Sequence, residues 1–96
     1  TRPVVELIPA GAMTAEAMEA LGERLAEALE TSGPIEQVGA PDRPALAIYT
    51  AKDQSTDDLA AAVRKALATV APQAELSLVI ARAPRLTPGT ATLGDR

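Results

Sequence analysis

Three groups of side chains in this chain of 96 residues have the types and spacing to do chemistry. Glu16, Glu19, Glu23, Glu27 and Glu30 recur at intervals of three and four, relieved only by Arg24. On a helix that interval stacks carboxylates on one face, where neighbours could share a hard cation such as calcium. No Asp-rich loop closes a cage around them, so the stripe reads as a solvated face able to select a basic partner, and no metal is assigned. Arg43, Arg82 and Arg85 fall in a turn and just after the last strand, and could converge on an anion. Thr87, Gly89 and Thr90 belong to a Thr-Pro-Gly-Thr turn whose backbone amides could face a phosphate. Edge protection and solubility account for the arginines equally well, and a linker accounts for the turn. Lys52 and Lys65 read as solvated. Tyr49 is the only aromatic residue.

The residues that are missing narrow the chemistry further. With no histidine and no cysteine, Ser-His-Asp and Cys-His nucleophilic systems, His-ligated zinc and imidazole proton shuttling are excluded. What remains is carboxylates, lysines, arginines, Tyr49 and backbone amides. No catalytic residue and no cofactor is assigned, and the chain reads as non-catalytic on its own. The net charge of −4, without a basic stripe or aromatic platforms, argues against nucleic acid as a partner. No apolar run reaches the roughly 20 residues that cross a bilayer, and no leader segment is read, so the expectation is a cytoplasmic chain without a membrane partner. A start at Thr1 rather than Met reads as a fragment or a processed product.

The elements that would position these groups follow from periodicity. Pro3–Ile8 predicts a strand with Val5 and Leu7 on one face and Val4, Glu6 and Ile8 on the other. Thr14 is a suitable N-cap for a helix running to about Thr31, and Gly33-Pro34 stops it. Its expected buried stripe is Ala17, Leu21, Leu25 and Leu29, with Met18, Ala26 and Ala28 beside it. Ile35–Gly39 predicts a short second strand, and the Pro41-Asp42-Arg43-Pro44 turn leads into a third at Ala45–Thr50. Ser55-Thr56-Asp57-Asp58 has capping-box spacing ahead of a helix over Thr56–Val70. Its buried set is Leu59, Ala62, Val63, Ala66, Leu67 and Val70. Glu75–Ala81 predicts the last strand, with Leu76, Leu78 and Ile80 inward.

These elements repeat. A shift of 41 positions lays Thr14 on Ser55, Met18 on Leu59, Leu29 on Val70 and Val38 on Val79. Two such βαβ units joined by a tight turn predict an α/β (α+β) fold, a ferredoxin-like βαββαβ sandwich with a four-stranded antiparallel sheet and two helices on one face. The domain is expected over residues 1–82, with 83–96 a tail or linker leading away from it. Its core must be built without Phe or Trp, and alanine fills 21 positions. Burial at about 25 cal/mol per Å² is therefore spread thin.

In such a sandwich the sheet face away from the helices is open. Val4, Ile8, Ala45, Ala47, Tyr49 and Val79 make that face more apolar than a solvated surface, which marks a partner-binding face. The partner expected is another protein domain or a second copy of the chain.

From Val38 onward the order of features resembles the small C-terminal domain of acyl-adenylating enzymes, the acyl-CoA ligase and luciferase superfamily. The features are Val38-Gly39-Ala40-Pro41-Asp42, the strand Ala45–Thr50, and a helix beginning near Asp57-Asp58-Leu59. Leu67-Ala68 through Pro72, the strand Leu76–Ile80 and Pro84-Arg85-Leu86-Thr87-Pro88-Gly89 complete the series. The last segment is similar to the family's P-x-T-x-x-G-K motif, whose lysine contacts the acyl-adenylate. Here Thr90 follows Gly89 in place of that lysine, and no lysine follows Lys65. The resemblance implies a lid-like accessory domain that closes over a larger domain holding ATP and a carboxylate, without the residue that serves adenylation. Beside it stand two other readings, a self-associating dimeric module and a small-ligand sensor domain.

Overall fold

The structure, a computed structural model, describes residues 3–82 and 88–93. Its elements run β1 (Val4–Pro9), α1 (Ala15–Ala28), β2 (Ile35–Ala40), β3 (Arg43–Tyr49), α2 (Thr56–Val70), β4 (Leu76–Ala81) and β5 (Pro88–Leu93). The first six elements form the expected ferredoxin-like arrangement, with β4, β1, β3 and β2 side by side in one antiparallel sheet and both helices on one face. One short turn sets the register of β2 against β3. Ala40 pairs with Arg43 across Pro41-Asp42, which brings Val38 opposite Ala45 and Ile35 opposite Ile48. Gly39 takes φ +86°, and a Cβ there would lie 2.5 Å from the Arg43 carbonyl oxygen. Only glycine adopts that conformation and that approach without strain.

Both helices start as their sequences dictate. Thr14 Oγ accepts a hydrogen bond from the Ala17 amide at 3.0 Å, and Ser55 Oγ accepts one from the Asp58 amide at 3.1 Å. Each satisfies an amide that has no partner within the helix. Helix α1 buries Met18, Leu21, Gly22, Leu25 and Ala26, followed by Leu29 at its C-cap. Ala17 and Ala28, expected in or beside the buried stripe, are exposed. Helix α2 buries Leu59, Ala60, Val63 and Ala66, with Ala62, Leu67 and Val70 half-buried. These side chains close over Val5, Leu7, Ile35, Leu46 and Ile48 to make the main core. Gln37 Nε2 donates to the Ala15 carbonyl at 3.2 Å and ties β2 to the first turn of α1.

Two findings depart from the sequence reading. Pro88–Leu93, expected to be a loop leading away, is a fifth strand paired antiparallel with β2, so the sheet order is β4-β1-β3-β2-β5. Threonine supports a strand whatever its polarity, and a proline is tolerated as the first residue of an edge strand. Ile80, expected inward, is 43% exposed because β4 is the opposite edge of the sheet. No helix among the described residues is long and apolar enough to cross a membrane.

Candidate functional site

Alternation along the strands sorts the second sheet face, the one away from the helices. Val4 pairs with Tyr49 and Ala81, and Glu6 pairs with Ala47 and Val79. Ile8 pairs with Ser77, Ala45 with Val38, and Glu36 with Ala47. The six residues expected on one face, Val4, Ile8, Ala45, Ala47, Tyr49 and Val79, do share it, since directly opposed residues point the same way.

That face is not bare, and the expectation of an open surface is corrected at its centre. Val4, Val38, Ala45 and Ala47 form a second apolar cluster, each at most 1% exposed within the single chain, with Ile8, Tyr49 and Ala81 half-buried around it. Val79 is also half-buried. The accessible part of this side is its rim.

Two acidic residues lie among these apolar ones. Glu6, in the central strand β1, is 1% exposed. Glu36 is half-buried on β2, one strand beyond Ala47, and its Oε2 accepts a 2.6 Å hydrogen bond from the Tyr49 hydroxyl. The row Glu36, Ala47, Glu6, Val79 therefore crosses four strands in register. The alanine between the carboxylates leaves room for the phenol ring of Tyr49, two residues along β3, to reach Glu36 diagonally. Sequence reading placed Glu6 on this face without marking it, and passed over Glu36. The signal for Glu6 was present: in a βαββαβ sheet β1 is a central strand, so a glutamate in the middle of it is enclosed on both sides.

Arg43 and Arg82 do not come together. Arg43 opens β3 at the hairpin end of the sheet, and Arg82 follows β4 at the other end, level with Val4 and Tyr49. Six strand residues, about 20 Å, separate those ends. Arg85 and Thr87 lie outside the described residues. Gly89 and Thr90 fall within β5, which begins opposite Val38. Arg43 instead lines a cleft of about 380 Å³ with Asp42 and Pro44 from the hairpin and the Pro9–Met13 loop. Glu16, Glu19, Glu23 and Glu27 of α1, Glu30 just after it, and Lys52 and Lys65 are exposed. Among the described residues no three acidic side chains are placed to hold a metal ion.

Set against protein-family models, curated proteins and solved structures, the chain matches none.

Proposed function

We propose that this chain is a non-catalytic protein-association domain that docks against another protein domain through the rim of the sheet face carrying Tyr49. One observation carries the reading. The sole aromatic side chain is half-buried at the margin of a buried apolar cluster, with its hydroxyl already held by Glu36. A tyrosine fixed in this way presents ring area to a partner at little further cost in side-chain entropy. Ile8 and Val79 would flank the contact, while Val4, Ala45 and Ala47 support it from beneath.

The narrower form of this reading makes the chain the lid-like domain of an acyl-adenylating enzyme whose adenylate-contacting lysine is replaced by Thr90. Its support is the order of features from Val38 to Gly89. Both forms are tested on the whole gene product by amide hydrogen exchange, compared with this chain alone. Added protection at Ile8, Tyr49 and Val79 in the whole protein is expected, and a Tyr49→Arg substitution should remove it. A gene product that contains no further domain, or unchanged exchange along that rim, overturns the reading.

A further inference from the structure

We propose that the outer edge of β4 is a second interaction surface, and that its occupant is β4 of a second copy of this chain. Among the described residues β4 pairs with β1 on one side only. An edge strand offers a row of backbone N–H and C=O groups to any strand that can align with it. Proteins usually blunt such an edge with lysine, proline or inward charge. The residues of β4, Leu-Ser-Leu-Val-Ile-Ala, include none of these. The other edge, β5, begins with Pro88 and Gly89, which weaken further pairing. Ile80 at the β4 edge is the exposed large hydrophobic side chain among the described residues.

The strand is complementary to itself when reversed. A two-fold axis normal to the sheet at Leu78 sets Leu78 against Leu78 of the second copy, and Ile80 against Leu76 of the second copy. All of these lie on the helix side of the sheet, because Leu76, Leu78 and Ile80 pair with Pro9, Leu7 and Val5 of β1. Ser77 and Val79 face each other in the same way on the opposite side. The flanking charges select this direction. Exposed Glu75 precedes the strand and exposed Arg82 follows it; the axis at Leu78 sets Glu75 opposite Ala81 and Arg82 opposite Ala74, so antiparallel alignment leaves opposite charges one residue apart at each end of the pair. Parallel alignment would set like charges together. Six paired residues bury less than the roughly 800 Å² per partner of a standard interface, so the dimer is weak and concentration-dependent.

The test is sedimentation velocity on this chain across a hundredfold range of concentration. A monomer–dimer equilibrium is expected for wild type, and Ile80→Lys should abolish it while circular dichroism stays unchanged. Glu75→Arg should weaken the dimer by about three- to tenfold, and Glu75→Arg with Arg82→Glu should restore it, since exposed ion pairs carry that order of energy. The double reversal changes exposed residues only, so it remains informative if Ile80→Lys perturbs folding. A monomer at every concentration overturns the proposal. So does a dimer that Ile80→Lys leaves intact, or one that the double reversal fails to restore. A dimer split only by Tyr49→Arg overturns it as well and moves self-association to the rim. Only that last outcome touches the docking reading, by giving the rim to a second copy; the others leave docking to be read from exchange in the whole protein.

Discussion

Tyr49 and Glu36 are joined across neighbouring strands, the phenol hydroxyl donating to the carboxylate Oε2 at 2.6 Å. The pair is diagonal, since Glu36 lies opposite Ala47 and Tyr49 is two residues further along β3. A hydrogen bond to an ionised acceptor is stronger than a neutral one, but here both partners are half-buried and water competes. Tyr49→Phe should therefore cost about 0.5–1.5 kcal/mol of stability. The measurement is a double-mutant cycle with Glu36→Gln by urea unfolding, where the two losses should add to more than the double variant loses. Strict additivity would show that the contact contributes nothing.

Glu6 differs from Glu36 in being 1% exposed at the centre of the sheet. A carboxyl group buried so deeply is retained at little cost only when its polar atoms find partners. Glu6→Gln keeps the shape and exchanges the carboxyl group for an amide, and should lower stability by about 1–3 kcal/mol as the contacts of the carboxyl group weaken. Chemical denaturation of the two proteins decides the sign. A variant more stable than wild type would mean that the carboxylate is retained for a reason other than folding.

The sequence and the structure agree where local rules and burial point the same way. Thr14 and Ser55, aligned by the internal repeat, are both N-caps, and Met18 and Leu59, aligned by the same shift, are both fully buried. The Tyr49–Glu36 bond was out of reach because it depends on strand register. Once Ala40 is known to pair with Arg43, Glu36 must lie opposite Ala47 and within reach of Tyr49. β5 escaped notice because Pro88, Gly89 and its threonines carry turn signals, and its pairing with β2 is decided by the sheet rather than by the segment. Ile80 lies on the expected face and is nonetheless exposed, because alternation gives a side chain's face but not whether its strand lies at an edge. Ala17 was misplaced by a small rotation of the helical stripe. Alanine costs little on either side of that boundary, so composition does not fix it.

The two described glycines nearest the hairpin end should respond in opposite ways to a methyl group. At Gly39 the backbone is left-handed, and the added Cβ would meet the Arg43 carbonyl oxygen at 2.5 Å. Gly39→Ala should destabilise the protein by about 1–3 kcal/mol. Gly11 has nothing within 4 Å of the same position. Gly11→Ala should be neutral or stabilise by up to about 1 kcal/mol, through a smaller loss of chain entropy on folding. Thermal unfolding of the two variants side by side provides the check. Equal losses would mean that the hairpin rearranges freely and that its register is not set by Gly39.

The two N-caps allow the repeat to be tested as energy rather than as pattern. Thr14 and Ser55 occupy corresponding positions, and each accepts one amide of its helix's first turn at nearly the same distance. Each first turn also carries acid, Glu16 in α1 and Asp57 with Asp58 in α2, which favours the positive end of the helix dipole. Replacing either cap by alanine leaves an amide without its acceptor, at a cost of about 1 kcal/mol each. The caps belong to different helices and share no hydrogen bond, so Thr14→Ala and Ser55→Ala should add within about 0.5 kcal/mol in the double variant. Urea unfolding with an unchanged m-value is the expected result, because the helices shorten in neither state. Unequal losses would break the energetic equivalence of the two halves. A fall in m on one substitution alone would mean that the corresponding half unfolds apart from the rest, and that the two βαβ units do not fold as one.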